Sequence, residues 1–187
     1  MPLTFSPVLP TPLDVATNGV WGDDIVSALN LLNDADQFKL KSSTDTRTTT
    51  TLIDDDDLQG MTLGVGTWLI ETALLVSGPA AGDIKVAQQF SGTTTLAVRG
   101  GAGPGSTSAS ALLGAIVRQA GASDTGGTIT ASTPYGLDGT NWSWIIEKTV
   151  LVVTVSGVFK VQTAQLAASG TTTIQAGSYV WARKVAS

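Results

Sequence analysis

From about residue 42 onward the chain consists of short runs of β-branched and aromatic residues, each closed off by a cluster of Ser, Thr or Gly. That punctuation constrains the fold more than any other feature. Side chains alternate faces along a strand with a period of two, whereas a helix needs longer runs with a period of about 3.6. The clearest case is Asp83 to Phe90, where Ile84, Val86, Gln88 and Phe90 alternate with Lys85, Ala87 and Gln89. Such a strand turns one face to a core and a wetter face outward. Thr67 to Val76 sets Trp68, Ile70, Thr72, Leu74 and Val76 against Leu69, Glu71, Ala73 and Leu75, so both of its faces read as buried.

The same reading places strands at Arg47 to Ile53, Thr94 to Val98, Thr128 to Ser132, Trp142 to Val155, Val158 to Ala167 and Ser178 to Val185. Ser108 to Gln119 is ambiguous between strand and helix and is taken as strand from its neighbours. Arg99 to Gly105 reads as a loop and Pro134 to Thr140 as a turn, because their glycines and prolines do not sustain a ladder. Roughly eight to ten strands with no alternating helices point to an all-β protein, a jelly-roll-like β-sandwich of two sheets, and argue against a doubly wound fold.

The beginning of the chain is different. Pro2, Pro7, Pro10 and Pro12 fix φ and remove backbone donors, which reads as an extended arm lying on something else. Between Asp23 and Asn33 the spacing of Ile25, Val26, Leu29 and Leu32 predicts one short helix, with Asp23 or Asp24 as its N-cap and Trp21 as an anchor ahead of it. About three turns are marginal in isolation, so the helix is expected to dock on a subunit or a partner. The division that follows is an N-terminal attachment arm with its helix at 1–41 and a β-sandwich oligomerisation domain at 42–187. Trp21, Ile25, Val26, Leu29 and Leu32 are the candidate attachment residues.

Composition bears on partners. Only 13% of the 187 residues are charged, against about 25% in ordinary soluble domains, and mean hydropathy is +0.23. Charge depletion marks surfaces that other subunits cover, so self-association is the first expectation. The net charge is −5. The acids concentrate before residue 58, and no window offers the basic stripe that nucleic acid requires. There is no cysteine and no histidine. No run of eighteen apolar residues occurs and the first residues lack the basic start of a signal peptide, so the expectation is a soluble, cytosolically made protein without membrane insertion.

Four features invite chemistry. The run Asp54-Asp55-Asp56-Asp57 offers several carboxylates, and Ca²⁺ takes about six to eight oxygen ligands, yet EF-hand spacing is missing. A solvated loop is the preferred reading, with no metal assigned. Glu71 and Glu147 are the only glutamates. A glycosidase needs such a pair about 5–10 Å apart, but each is better read as the partner of a base such as Lys148, Arg99 or Lys85, or as facing an oligomer axis. No catalytic residue and no cofactor is assigned. Gly100 to Gly105 lacks the Gly-Lys-Ser/Thr ending of a phosphate loop. Trp142, Trp144, Tyr179 and Trp181 suit stacking on a sugar, although alternating strand aromatics more often belong to a core or interface. Trp142 and Trp144 are therefore kept as candidate surface-binding aromatics for a host-surface glycan, the second functional expectation.

Several stretches carry a resemblance. They are Ser43-Thr-Asp-Thr-Arg-Thr-Thr-Thr-Thr-Leu-Ile-Asp-Asp-Asp-Asp-Leu58, Gly66-Thr-Trp-Leu-Ile-Glu71, Gly82-Asp-Ile-Lys-Val86 and Thr171-Thr-Thr-Ile-Gln-Ala-Gly-Ser-Tyr-Val-Trp-Ala-Arg-Lys-Val185. Asn18-Gly-Val-Trp-Gly-Asp-Asp-Ile-Val-Ser-Ala-Leu-Asn30 precedes them. Together they resemble small virion proteins of tailed phages, chiefly those of actinobacteria, found among head-decoration, minor tail and fibre-like proteins. The resemblance implies a jelly-roll-like, usually trimeric module with an N-terminal attachment segment, whose partners are itself and the major capsid or tail proteins. It brings no catalytic residues. The expectation is a non-enzymatic structural protein located in the virion, a homotrimeric capsid decoration or head knob, or a minor tail protein. Absence of sustained heptads or repeats favours decoration over a fibre shaft.

Overall fold

A computed structural model describes residues 36–105, 131–139 and 141–187. The Pro-rich arm, the helix expected at Asp23 to Asn33 with Trp21, Ile25, Val26, Leu29 and Leu32, and the strand expected at Ser108 to Gln119 all lie outside the described residues. Within them the strands are β1 Asp36–Leu40, β2 Asp45–Arg47, β3 Ile53–Leu63, β4 Gly66–Ser77, β5 Ile84–Phe90 and β6 Thr93–Ala102. They continue with β7 Thr133–Tyr135, β8 Ser143–Val155, β9 Gly157–Ala164, β10 Thr172–Ile174 and β11 Tyr179–Ala186.

The strands form two antiparallel sheets. In the first, β1, β11, β4, β8 and β6 follow one another across the sheet, and β10 with β2 extends from the far end of β4. The second runs β3, β9, β5, β7. The pairs are nested: β1 with β11, β3 with β9, β4 with β8 and β5 with β7. A chain folded back on itself in nested antiparallel pairs and rolled into two layers is a jelly roll. β6 is an addition between β5 and β7 that widens the first sheet beside β8. The strand β1 lies in the stretch assigned to the arm and pairs along its whole length with β11, so the described sandwich begins at Asp36.

Alternation does what the sequence requires of it. On β4, Trp68, Ile70, Leu74 and Val76 are buried, and on β5 Ile84, Val86 and Phe90 are buried against them. Leu58, Met61 and Leu63 from β3, Ile145, Leu151 and Val153 from β8, and Phe159 and Val161 from β9 complete the core. Each such side chain contributes about 1.5–3 kcal/mol on leaving water. Trp68 closes one end, its Nε1 donating to the Gly64 carbonyl at 2.8 Å. The second face of β4 is half-buried at Leu69, Glu71 and Leu75, where burial had been expected throughout.

Three local expectations are corrected. The threonine-rich stretch from Arg47 to Ile53 is not a strand: β2 ends at Arg47 in the first sheet and β3 starts at Ile53 in the second, so residues 48–52 must cross between layers. The loop expected from Arg99 is still strand through Ala102, with Gly100 opposite Lys148 and Gly101 opposite Glu147. The turn expected from Pro134 begins as β7, an edge strand where proline's missing N–H leaves no ladder bond unmade.

Gly101 is where the absence of a side chain is required. A Cβ built there would sit 1.9 Å from the Tyr135 hydroxyl oxygen, and Tyr135 is itself fully buried. Gly101→Ala therefore overpacks the layer between the sheets, and chemical denaturation is expected to show a loss of about 1–3 kcal/mol. Gly64→Ala, where a Cβ meets nothing within 4 Å, serves as the control and stays near the parent.

Candidate interaction face

The two glutamates do not form a site. Glu147 points inward from β8 and is 1% exposed, whereas Glu71 lies on the opposite face of the same sheet. They cannot act together on one substrate. Inside, the Arg99 Nε donates to Glu147 at 3.0 Å, its Nη2 to Glu147 and to the Val86 carbonyl, and its Nη1 to the Ala131 carbonyl. Gln88 and Tyr135 from the second sheet each donate to Glu147 at 2.9 Å. Burial and the Glu147 charge push the Tyr135 phenol well above its usual range. This network ties the two layers together in a fixed register.

The acidic run is not a solvated loop either. It lies at the start of β3, where a break in the register with β9, and not simple alternation, distributes its carboxylates. Asp54 faces outward to Lys160 Nζ at 2.8 Å and Gln162 Nε2 at 2.6 Å on β9. Asp55 is fully buried, 3.0 Å from the Lys41 ammonium, and also accepts the backbone N–H groups of Asp57 and Leu58. Those donors are free because the pairing with β9 breaks register between Asp54 and Gln59, a bulge that the carboxylate caps. Asp56 is exposed and Asp57 accepts the N–H groups of Ser42 and Ser43. Lys41, with Asp45 at 2.8 Å, holds the place a cation would take among these acids. Among the described residues no group of three carboxylates is arranged to hold a metal ion.

These partners set a pH profile. Asp54 lies below its ordinary 3.8; burial opposes this, and hydrogen bonds from Lys160 and Gln162 outweigh it. Asp57 is also held below 3.8, first by the Ser43 N–H. Lys41 lies above its ordinary 10.5, because hydrogen bonds to Asp45 and Asp55 outweigh the burial that opposes its charge. Tyr179 lies above 10.0 because its hydroxyl donates to Glu71. Lowered carboxylates stabilise the fold above 3.8, and that contribution is lost as pH falls through their folded values. Raised Lys41 and Tyr179 stabilise it below their ordinary values and lose this as pH rises through the folded ones. Burial raises Asp83, which runs opposite to the other acids and returns some stability on protonation. With no histidine, thermal midpoints are expected to be level between about pH 6 and 8, falling in acid and again in strong alkali.

The outer faces of the two sheets differ. On the second sheet Lys85, Gln89, Lys160, Gln162 and Asp54 point outward, a polar surface. On the first sheet, cross-strand register aligns rows of outward residues. Leu40, Tyr179, Ala73, Ile146 and Ala102 form one row; Phe38, Trp181, Glu71, Lys148 and Gly100 the next; Asp36, Arg183, Leu69, Val150 and Val98 a third. Leu75 and Trp144 cap one end, and Thr67, Val152 and Leu96 the other. Phe38 and Leu40 are more than half exposed, Trp144 is 50% exposed and Trp142, which leads into β8, is 63% exposed. Phe38 and Tyr179 stack with ring centroids 5.7 Å apart.

Of the aromatics singled out from sequence, Trp144, Tyr179 and Trp181 share this face, on strands either side of β4. The sequence reading missed Phe38 and Leu40, hidden in a stretch taken as arm, and Leu96 and Val98. A register shift between Thr94 and Leu96 moves the latter pair out of simple alternation with their neighbours. Among the described residues no helix is long and apolar enough to cross a membrane.

No protein-family model matches the chain, and no curated protein matches it. Among solved structures it has a likeness to infectious bursal disease virus, Gx strain, at 14% identity and TM-score 0.21, covering 81% of this chain and 38% of that one. A second is to the infectious bursal disease virus VP2 subviral particle, at 12% identity and TM-score 0.19, covering 81% of this chain and 41% of that one. The chain thus spans about two fifths of the length of those chains. Likenesses at such TM-scores carry no argument, and the fold rests on the strand pairing itself.

Proposed function

We propose that this chain is a non-enzymatic structural protein of a phage virion, a homotrimeric capsid decoration or head-knob protein, or a minor tail protein, attached through its N-terminal arm. The observation that carries the reading is the outer face of the first sheet. A largely apolar face, opposite a polar outer face on the second sheet, is the kind of surface that marks an interaction site. The resemblance of the sequence to tailed-phage virion proteins supplies the setting, and the arm with Trp21, Ile25, Val26, Leu29 and Leu32 supplies the attachment. Particles prepared without this chain are expected to take up the purified full chain on co-sedimentation, while a chain beginning at Ala35 stays in the supernatant. A full chain that never sediments with particles overturns the reading.

One observation favours a second reading. Trp142, just ahead of β8, and Trp144 on it are 63% and 50% exposed, and exposed aromatic faces suit stacking on a sugar ring. Retention of the chain on host-envelope glycans, abolished by Trp142→Ala and Trp144→Ala with the fold intact, would shift the function to host-surface recognition.

A further inference from the structure

We infer that Lys41 and Asp55 condense into an isopeptide bond, an amide between the lysine Nζ and the aspartate Cγ formed with loss of one water. The inference stands apart from the virion reading, because it rests on one contact inside the sandwich. Lys41 follows β1 and Asp55 lies in β3, so the bond joins the edge of the first sheet to the edge of the second. Of the lysine–carboxylate contacts among the described residues, this is the one in which both side chains are 0% exposed. Lys148 with Glu71 and Lys160 with Asp54 are open to water. In the buried Arg99–Glu147 pair the base is a guanidinium, which stays charged and offers no nucleophile.

The atoms around the contact are those that acyl transfer needs. Nζ lies 3.0 Å from each Asp55 oxygen, so it faces the carbon between them at about 3.3 Å or less, a near-attack distance. Oδ1 accepts the backbone N–H groups of Asp57 and Leu58, each at 3.2 Å, and two such donors stabilise the oxyanion that forms when nitrogen adds. Oδ2, although as close to Nζ, is buried and makes no hydrogen bond, which suits a leaving oxygen. Asp45 Oδ2 lies 2.8 Å from Nζ, within reach of its protons. Asp45 is the poorer electrophile of the two, being 28% exposed and, among the described residues, without backbone donors on its carboxylate.

The step balances with no further reagent. Nitrogen starts with three protons; passing one to Asp45 leaves a neutral amine, whose lone pair adds to Cγ. Because the proton moves within the contact, the neutral pair forms without exchange with solvent, and burial favours it over separated charges. Asp45 then hands that proton and a second one from nitrogen to Oδ2. The Cγ–Oδ2 bond breaks and Oδ2 leaves as water. One proton stays on the amide nitrogen, nothing is oxidised or reduced, and one positive and one negative charge disappear together. Peeling of β1 from β11 then ends at a covalent tie to β3.

Intact-mass spectrometry of the purified, denatured chain reads the bond directly, as a deficit of one water, about 18 Da, against the sequence mass. A tryptic digest locates it. Acylated Lys41 is not cleaved, so residues 40–47 are expected as one branched peptide with residues 48–85. Lys41→Arg keeps the charge but cannot form the amide and is expected at its full sequence mass. Asp45→Ala is also expected at full mass with Lys41 and Asp55 both in place, since a positioned proton carrier contributes about a hundredfold or more to such a step. A parent at full sequence mass overturns the proposal. So does a water loss that maps elsewhere, such as to Asp138-Gly139, or one that Lys41→Arg retains. A fully bonded Asp45→Ala overturns the proton-carrying role given to Asp45.

Discussion

Arg99→Met is expected to lower the unfolding free energy by about 3–5 kcal/mol, a large share of the roughly 5–15 kcal/mol that holds a domain of ordinary stability. The size follows from what remains. Glu147 is 1% exposed, and without the guanidinium its charge keeps, among the described residues, the Gln88 amide and the Tyr135 hydroxyl. The Val86 and Ala131 carbonyls lose their donor as well. A buried charge stripped of its partner is costlier than the absence of the pair, so the double variant Arg99→Met with Glu147→Gln should recover part of the loss. Urea denaturation of the parent, both single variants and the double variant closes the cycle. Losses that simply add would mean that Arg99 and Glu147 do not act as a pair.

Lys41→Met is the second large effect, also about 3 kcal/mol or more. Its ammonium is the common partner of Asp45, Asp55 and Asp57, and both Lys41 and Asp55 side chains are fully buried. Removing it leaves Asp55 with two backbone donors and with Arg47 no closer than 3.9 Å. Three carboxylates then face one another with one cation fewer. Lys41→Met with Asp55→Asn is expected to be milder than Lys41→Met alone, because the amide still accepts the N–H groups of Asp57 and Leu58 without carrying charge. Equal losses in the two variants would show that the packing of the lysine stem, and not its charge, matters there.

Much of the sandwich was legible because alternation in Thr67 to Val76, Asp83 to Phe90 and Trp142 to Val155 is local, and β4, β5 and β8 fall there. What the sequence hid depends on distant partners. Lys41 reads as a residue of an arm until β1 pairs with β11 and brings it beneath the bulge of β3, where Asp55 needs it. The four aspartates read as a charged loop because nothing local shows that Lys160, Lys41 and Ser42 meet them from three directions. Gly100 and Gly101 read as loop formers, and only the approach of Tyr135 from the other sheet makes a glycine the residue that a strand requires. The candidate face was half legible: the outward set of Trp144 and Ile146 follows from period two. Its completion by Phe38 and Leu40 is a matter of long-range register.

The proposed homotrimer, with the first sheet's outer face as its interaction site, is tested most directly by solution mass. Light scattering on the full chain over a dilution series should return one species at three times the 19.1 kDa chain mass. Phe38→Ser with Trp144→Ser should bring it to the monomer while the far-ultraviolet spectrum stays that of the parent. A monomeric parent, or a trimer that both substitutions leave unmoved, would contradict the account.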